Sequence, residues 1–255
     1  MLGWKIFAHS VRMVLGNFRQ VLHITVGPAL IAVAAIVALF FVAGVPREVF
    51  DENAGTIAHE PSAGFLFLAA FVVVPIFFLI VLWIAVAWHR FILLEEYPDQ
   101  LLPPFRFDRI LAYLGRSFLL GLIGAAFMLP VMFVGVAFAQ SAPLLGVPVL
   151  IVFILVIVLV FYRLSIILPA AAVGKPLPIG EAWAATRGET GTFIALLVVS
   201  LLFQLVVQIA FTLLAFVPVL GALLVVFASL LVLPMINVSI LTTLYGVYIE
   251  KRELT

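Results

Sequence analysis

The chain has little charge and no cysteine. Only 10% of its 255 residues are Asp, Glu, Lys or Arg, and 66% are apolar, against about 25% and about 45–50% in an ordinary soluble domain. A surface this short of charge cannot all face water, so the composition excludes a soluble globular protein and turns most side chains toward lipid. With zero cysteines, disulfides, thiolate metal sites and cysteine nucleophiles are excluded, and the redox compartment stays open. Residues 20–46, 61–89, 117–162 and 190–249 hold no charged side chain at all.

Those four runs set the architecture. At about 20 residues per spanning helix, the two shorter runs hold one span each and the two longer ones a hairpin each. Six spans are predicted near 22–44, 64–88, 118–139, 144–168, 192–216 and 221–247. A β-barrel would need short segments alternating polar and apolar residues. LIVFILVIVLVF at 150–161 is instead apolar all round, so the fold class is all-α, a single polytopic membrane domain over 1–255. The stretch before the first span is basic and amphipathic, and the apolar run after it is too long for a signal-peptide core of about 7–15 residues. The first span is therefore expected to stay in the mature chain.

Cations sort by side. If six helices alternate, Lys5, Arg12, Arg19, Arg90, Arg106, Arg109, Arg116, Arg163, Lys175, Arg187, Lys251 and Arg252 all fall on one side and only Arg47 on the other. Basic residues favour the cytoplasmic side, so both termini are expected there. The opposite side is predicted to carry only a loop at 46–63, with Glu48, Asp51, Glu52 and Glu60, and two short uncharged turns.

Each pair of spans is preceded by a segment suited to the membrane surface: GWKIFAHSVRMVLGNFRQ within an interfacial helix at 1–19, then FRFDRILAYLGRSF, then IGEAWAATRG. In the first, Trp4, Phe7, Val11, Val14 and Phe18 share helical spacing, a face for the acyl boundary, with the cations left for headgroups. The even-numbered spans end in AWHRFILLE, VFYRLSIIL and TLYGVYIEK, which align His89 with Tyr162 and Tyr245, and Arg90 with Arg163 and Gly246. A threefold repeat of interfacial helix plus hairpin follows as an expectation.

Several residues are candidates for contact. At 1.5 Å per residue from Gly146, Arg163 lies about 25 Å along its helix, near the inner edge of a hydrocarbon core of about 30 Å. Snorkelling explains it; so does a shared mouth in which Arg90 and Arg163 hold a lipid phosphate or the carboxylate of Glu181, Glu95 or Glu96. Trp183 and Arg187 extend that headgroup or partner set. Ser200, Gln204, Gln208 and Thr212 recur every four residues on the fifth span, and the sixth offers Ser229, Asn237, Ser239 and Thr243. Interhelical hydrogen bonds between these helices are expected; a transport pathway is the other use of such a stripe.

Prolines 28, 75, 130 and 234 fall within spans, where each removes a hydrogen bond and bends its helix. Gly121, Gly124 and Gly135 permit close approach at the third span. His9, His23, His59 and His89 are far apart in sequence, so no metal ligand set is predicted. No cofactor motif, nucleophile elbow or phosphate loop is present, and no catalytic residue is predicted.

The segment RLSIILPAAAVGKPLPIGEAWAATRG, from Arg163 to Gly188, and the terminal LTTLYGVYIEKREL resemble a family of six-span bacterial inner-membrane proteins. That family is related to the membrane domain attached to some glycerophosphodiester phosphodiesterases. The resemblance implies a helical bundle in a bacterial inner membrane. In the fused enzymes the chemistry belongs to a separate soluble domain of metal-binding carboxylates and histidines, so the likeness implies no such activity for these residues. The expected function is that of a non-enzymatic scaffold, assembly or accessory subunit. Its expected partners are membrane lipids or another membrane protein, with no nucleic acid. A carrier with a cytoplasm-facing cavity between Arg90, Arg163 and the Gln204/Gln208 face is the alternative.

Overall fold

A computed structural model describes residues 1–42, 64, 67, 69–98, 102–141 and 143–254; the loop expected at 46–63 lies outside them. The order is α1 (Leu2–Gly16), α2 (Phe18–Val42), α3 (Val74–Leu94), α4 (Phe107–Ser141), α5 (Pro143–Leu164), α6 (Ile167–Ala172), α7 (Ile179–Ala185), α8 (Thr190–Leu214), α9 (Leu220–Phe227) and α10 (Leu233–Tyr248). No strand occurs among the described residues. Among the described residues six stretches are long and apolar enough to cross a membrane: Phe18–Leu39, Ala70–Leu94, Phe107–Phe138, Gly146–Ala172, Thr190–Leu214 and Leu220–Tyr248. The chain is an all-α, multi-pass membrane protein.

Two prolines act on helix geometry in the same way. Wide π turns at Ala69–Val73 and Ala228–Val232 run directly into α3 and α10, each with proline as its second residue, Pro75 and Pro234. A proline ring displaces the carbonyl one turn back, and a widened turn accommodates the loss without ending the helix. Pro28 and Pro130 instead lie inside continuous helices.

Two of the three surface segments depart from expectation, while IGEAWAATRG carries the short helix α7. FRFDRILAYLGRSF is not a separate helix; from Phe107 it forms the opening turns of the 35-residue α4. No proline interrupts the chain between Phe107 and Phe118, and those turns pack against α6, whose Ala170, Ala171 and Ala172 are buried. α1 packs along α8 and α10, so its inward face follows protein contact rather than the acyl boundary. Gly3, Ile6, Phe7, Ser10 and Val14 are buried, whereas Trp4 is 57% exposed. Gly3 has a reason to be glycine: a Cβ there would lie 2.5 Å from the Thr192 carbonyl oxygen and 2.7 Å from the Leu196 nitrogen.

The core sits toward one end. Ile6, Ile24, Trp88, Ile166, Ile167, Phe193, Leu196, Ile240 and Leu244 belong to its main cluster and are essentially inaccessible. This end carries Arg90, Arg106, Arg109, Arg163 and Arg252, and is termed the charged end below. Gly124 and Gly135 meet Phe161 and Leu150 across the α4/α5 hairpin as the close-approach expectation requires, while Gly121 has open space beside it.

Candidate functional site

At the charged end, α3 carries Arg90 four residues before its last residue, Leu94, with its side chain largely buried. Glu95 caps that helix in a left-handed conformation (φ 56°), which turns the chain back so that Glu96 faces the arginine it follows by six residues. The Arg90 Nε–H donates to Glu96 Oε2 at 2.6 Å, and an Nη1–H donates to the Ala172 carbonyl oxygen at 3.1 Å. Arg106 donates twice to the other carboxylate oxygen, at 2.8 and 3.1 Å. Burial pushes the Glu96 carboxyl pKa up, but the hydrogen bonds and charges of Arg106 and Arg90 outweigh it and hold the group below its ordinary range. Arg90 thus caps the Ala172 carbonyl at the end of α6 and, with Arg106, holds Glu96 in the α3–α4 connection.

Arg163 has a different set of partners. Its Nε–H donates to Thr186 Oγ1 at 3.0 Å, an Nη2–H donates to the Trp183 carbonyl oxygen at 3.2 Å, and its guanidinium lies 3.7 Å from the centre of the Trp183 ring. A planar, weakly hydrated cation suits that stacking. The structure therefore does not bring Arg90 and Arg163 to a common mouth, because each is drawn to a carbonyl at the end of a different short helix. Of the three acids considered, only Glu96 pairs with either of them. Glu181 and Arg187 are exposed, and Trp183 is 39% exposed.

Arg252 contributes a third such contact, donating to the Leu93 carbonyl oxygen at 3.0 Å. A Cβ on Gly246, the position aligned with Arg90 and Arg163, would lie 3.6 Å from its Cδ.

Beneath these cations lies a polar hub of which the sequence offered Ser239 and Thr243, but with the fifth span rather than α1 and α3 as their expected partner. Trp88 Nε1–H donates to Ser239 Oγ at 2.9 Å. His89, fully buried, has Nδ1 2.8 Å from Thr242 Oγ1 and Nε2 3.4 Å from the Tyr113 hydroxyl. The Thr242 hydroxyl donates back to the Val238 carbonyl oxygen. Each hydrogen is used once if His89 is the neutral Nδ1–H tautomer, donating to Thr242 and accepting from Tyr113. The Ser10 and Thr243 hydroxyls meet at 2.9 Å, tying α1 to α10. Residues 239, 242 and 243 share a face of α10 by helical spacing, and that recurrence is the signal the sequence offered.

The polar stripe of α8 behaves otherwise. Gln204, Gln208 and Thr212 are exposed, and so is Asn237 on α10. Thr212 Oγ1–H and Asn237 Nδ2–H donate to carbonyls four residues back in their own helices, at 2.9 and 3.2 Å, while the buried Ser200 hydroxyl has no partner. The expected hydrogen bonds between the fifth and sixth spans are absent among the described residues. The buried residues of α8 are Phe193, Leu196 and Leu197, so its packing is set near its start and not along the stripe.

None of four clefts on the bundle is lined by Gln204 or Gln208. One of about 350 Å³ has Arg109 and Arg116 at its rim above Leu119, Ala171 and Pro176. Another of about 440 Å³, between α4 and α5, is largely apolar, with Ser117, Tyr162 and Ser165 as its polar residues. Among the described residues no group of three or more His, Asp or Glu is placed to hold a metal ion. Compared with protein-family profiles, with curated proteins and with solved structures, the chain matches none.

Proposed function

We propose that this chain is a non-enzymatic scaffold, assembly or accessory subunit of a bacterial inner membrane, with both termini cytoplasmic, working through its lateral faces and its charged rim. The observation that carries the reading is the outward placement of the Gln204 and Gln208 amides. A carrier would use such amides to line a cavity; a subunit that binds sideways presents them to a neighbour. Arg90 and Arg163 support the same reading, since both are engaged in contacts within the chain. Exposed Arg187, with Trp183 beside it, and the Arg109/Arg116 cleft leave cations for anionic headgroups at the rim. The likeness of residues 163–188 to six-span inner-membrane proteins points the same way.

The absence of native cysteines makes the test direct. Gln204→Cys in sealed vesicles is treated with a charged, membrane-impermeant thiol reagent from each side in turn, with Arg187→Cys as the water-exposed reference. The reading predicts that the reference is labelled and Gln204→Cys is not. Rapid labelling of Gln204→Cys from either side marks a water-filled pathway and overturns it.

A further inference from the structure

We propose that α8 is the interface of a homodimer, in which the amides of Gln204 and Gln208 pair with the same residues of a second copy across a twofold axis normal to the membrane. The inference rests on the reading that this face of α8 lies away from water.

The starting point is what the two amides lack. Among the described residues no hydrogen bond reaches the side chain of Gln204 or Gln208, while Thr212 and Asn237 are met by their own helices. An amide left unpaired in hydrocarbon is costly, and polar groups there seek partners. Depth removes the easy escape. α8 has 25 residues from Thr190, so at 1.5 Å per residue Gln204 lies about 21 Å along it and Gln208 about 27 Å. Gln204 is therefore near the middle of the span. Side chains on a helix lean toward its N-terminus, and here that direction leads from the nearer, far-end headgroups back into the bilayer. Snorkelling outward works against the geometry of the helix.

The surroundings favour another helix as the partner. Leu201, Leu205 and Ile209, beside the two amides, are 55%, 58% and 54% exposed, so an amide pair would be enclosed by apolar contacts. No charged residue occurs between 190 and 249, and like-charge repulsion cannot oppose the approach of an identical surface.

Self-complementarity points to a second copy. A primary amide both donates and accepts, so two identical amides facing each other across a twofold axis exchange two N–H···O bonds. All copies insert in one orientation, which makes the two α8 helices parallel and sets Gln204 opposite Gln204. The second amide, one turn on, fixes the register, as a single buried polar residue does in parallel coiled coils.

The test uses the full chain in bilayers, labelled with a donor or an acceptor dye and measured by energy transfer across a range of protein-to-lipid ratios. Wild type is expected to dimerise, Gln204→Leu/Gln208→Leu to weaken dimerisation about tenfold or more, and Gln204→Asn, which keeps an amide, to stay closer to wild type than the double variant. Unchanged thermal unfolding of the double variant in detergent excludes loss of the fold as the cause. In parallel, oxidation is expected to cross-link Gln204→Cys into dimers and to leave Phe133→Cys, on the exposed surface of α4, monomeric. A wild-type chain that stays monomeric at every ratio, or a dimer indifferent to both leucines, overturns the homodimer while leaving the scaffold reading in place. Aqueous labelling of Gln204→Cys removes the scaffold reading itself.

Discussion

The charged end and the far end of this bundle differ in what they bury. In α8 the buried residues are Phe193, Leu196 and Leu197, all within its first eight positions, and in α10 burial begins at Met235 and continues to Tyr248. The far halves of α8 and of the α4/α5 hairpin keep large side chains exposed: Phe133 75%, Val152 59% and Leu213 63%. Yet the far half is no less apolar. Burial in lipid is not driven by apolar character, because the solvent is itself apolar; it follows hydrogen-bonding groups and close backbone approach. The hub of Trp88, His89, Ser239, Thr242 and Thr243, with Gly3 admitting α1, is where those features converge.

The sharpest way to break this comparison is to hollow out the packed half. Trp88→Ala removes the largest fully buried side chain and its bond to Ser239, and is expected to cost about 3–5 kcal/mol. Leu205→Ala in the open half is expected to stay within about 0.5 kcal/mol. Reversible unfolding in mixed micelles measures both; similar costs at the two sites would mean that the far half is packed as well.

Glu96 sharpens the comparison at the rim. Glu96→Gln weakens the charge-assisted bonds from Arg90 and Arg106, an expected loss of about 1.5–3 kcal/mol at neutral pH, with the exposed Arg106 the lesser contributor. Because the folded pKa is held below the ordinary value, the stabilisation is present above the unfolded carboxyl pKa of about 4.3 and is lost as pH falls through the folded value. The difference in unfolding midpoint between wild type and Glu96→Gln should therefore be full at pH 6 and shrink below about pH 4. A difference independent of pH would remove the ion pairs from the account.

The smallest effect belongs to Arg163. Arg163→Lys keeps the charge but loses the flat stack on Trp183 and the fork to Thr186 and the Trp183 carbonyl, with about 0.5–1 kcal/mol expected. Trp183 fluorescence provides a local readout, and an unchanged emission spectrum would count against the stack.

How much of this was legible in the sequence depends on the range of the signal. The six spans come from long uncharged runs, and the sidedness expected for the termini from where the cations lie. Glu96 was among the partners considered for Arg90, and a left-handed turn at Glu95 brings it there. The hub's pairing was not legible, since Ser10 meets Thr243 and Trp88 meets Ser239 across 233 and 151 residues, and the recurrence of polar residues on α10 did not say which helices would meet it. For α1, the sequence pointed to a face of Trp4, Phe7, Val11, Val14 and Phe18 toward lipid, whereas contact with α8 and α10 buries Gly3, Ile6, Phe7, Ser10 and Val14 and leaves Trp4 exposed. The α8 stripe was visible as a stripe, but its direction was not, because a polar stripe in a membrane span can meet a helix of the same chain or face away from the bundle.

The central claim is that the far half of α8 presents its amides away from water, to lipid and to a neighbouring helix. Spin labels placed singly along residues 197–212, read for collision with oxygen and with a water-borne nickel complex, test it most directly. The account predicts oxygen access at 201, 205 and 209, with nickel excluded throughout; nickel access at 204 and 208 would contradict it.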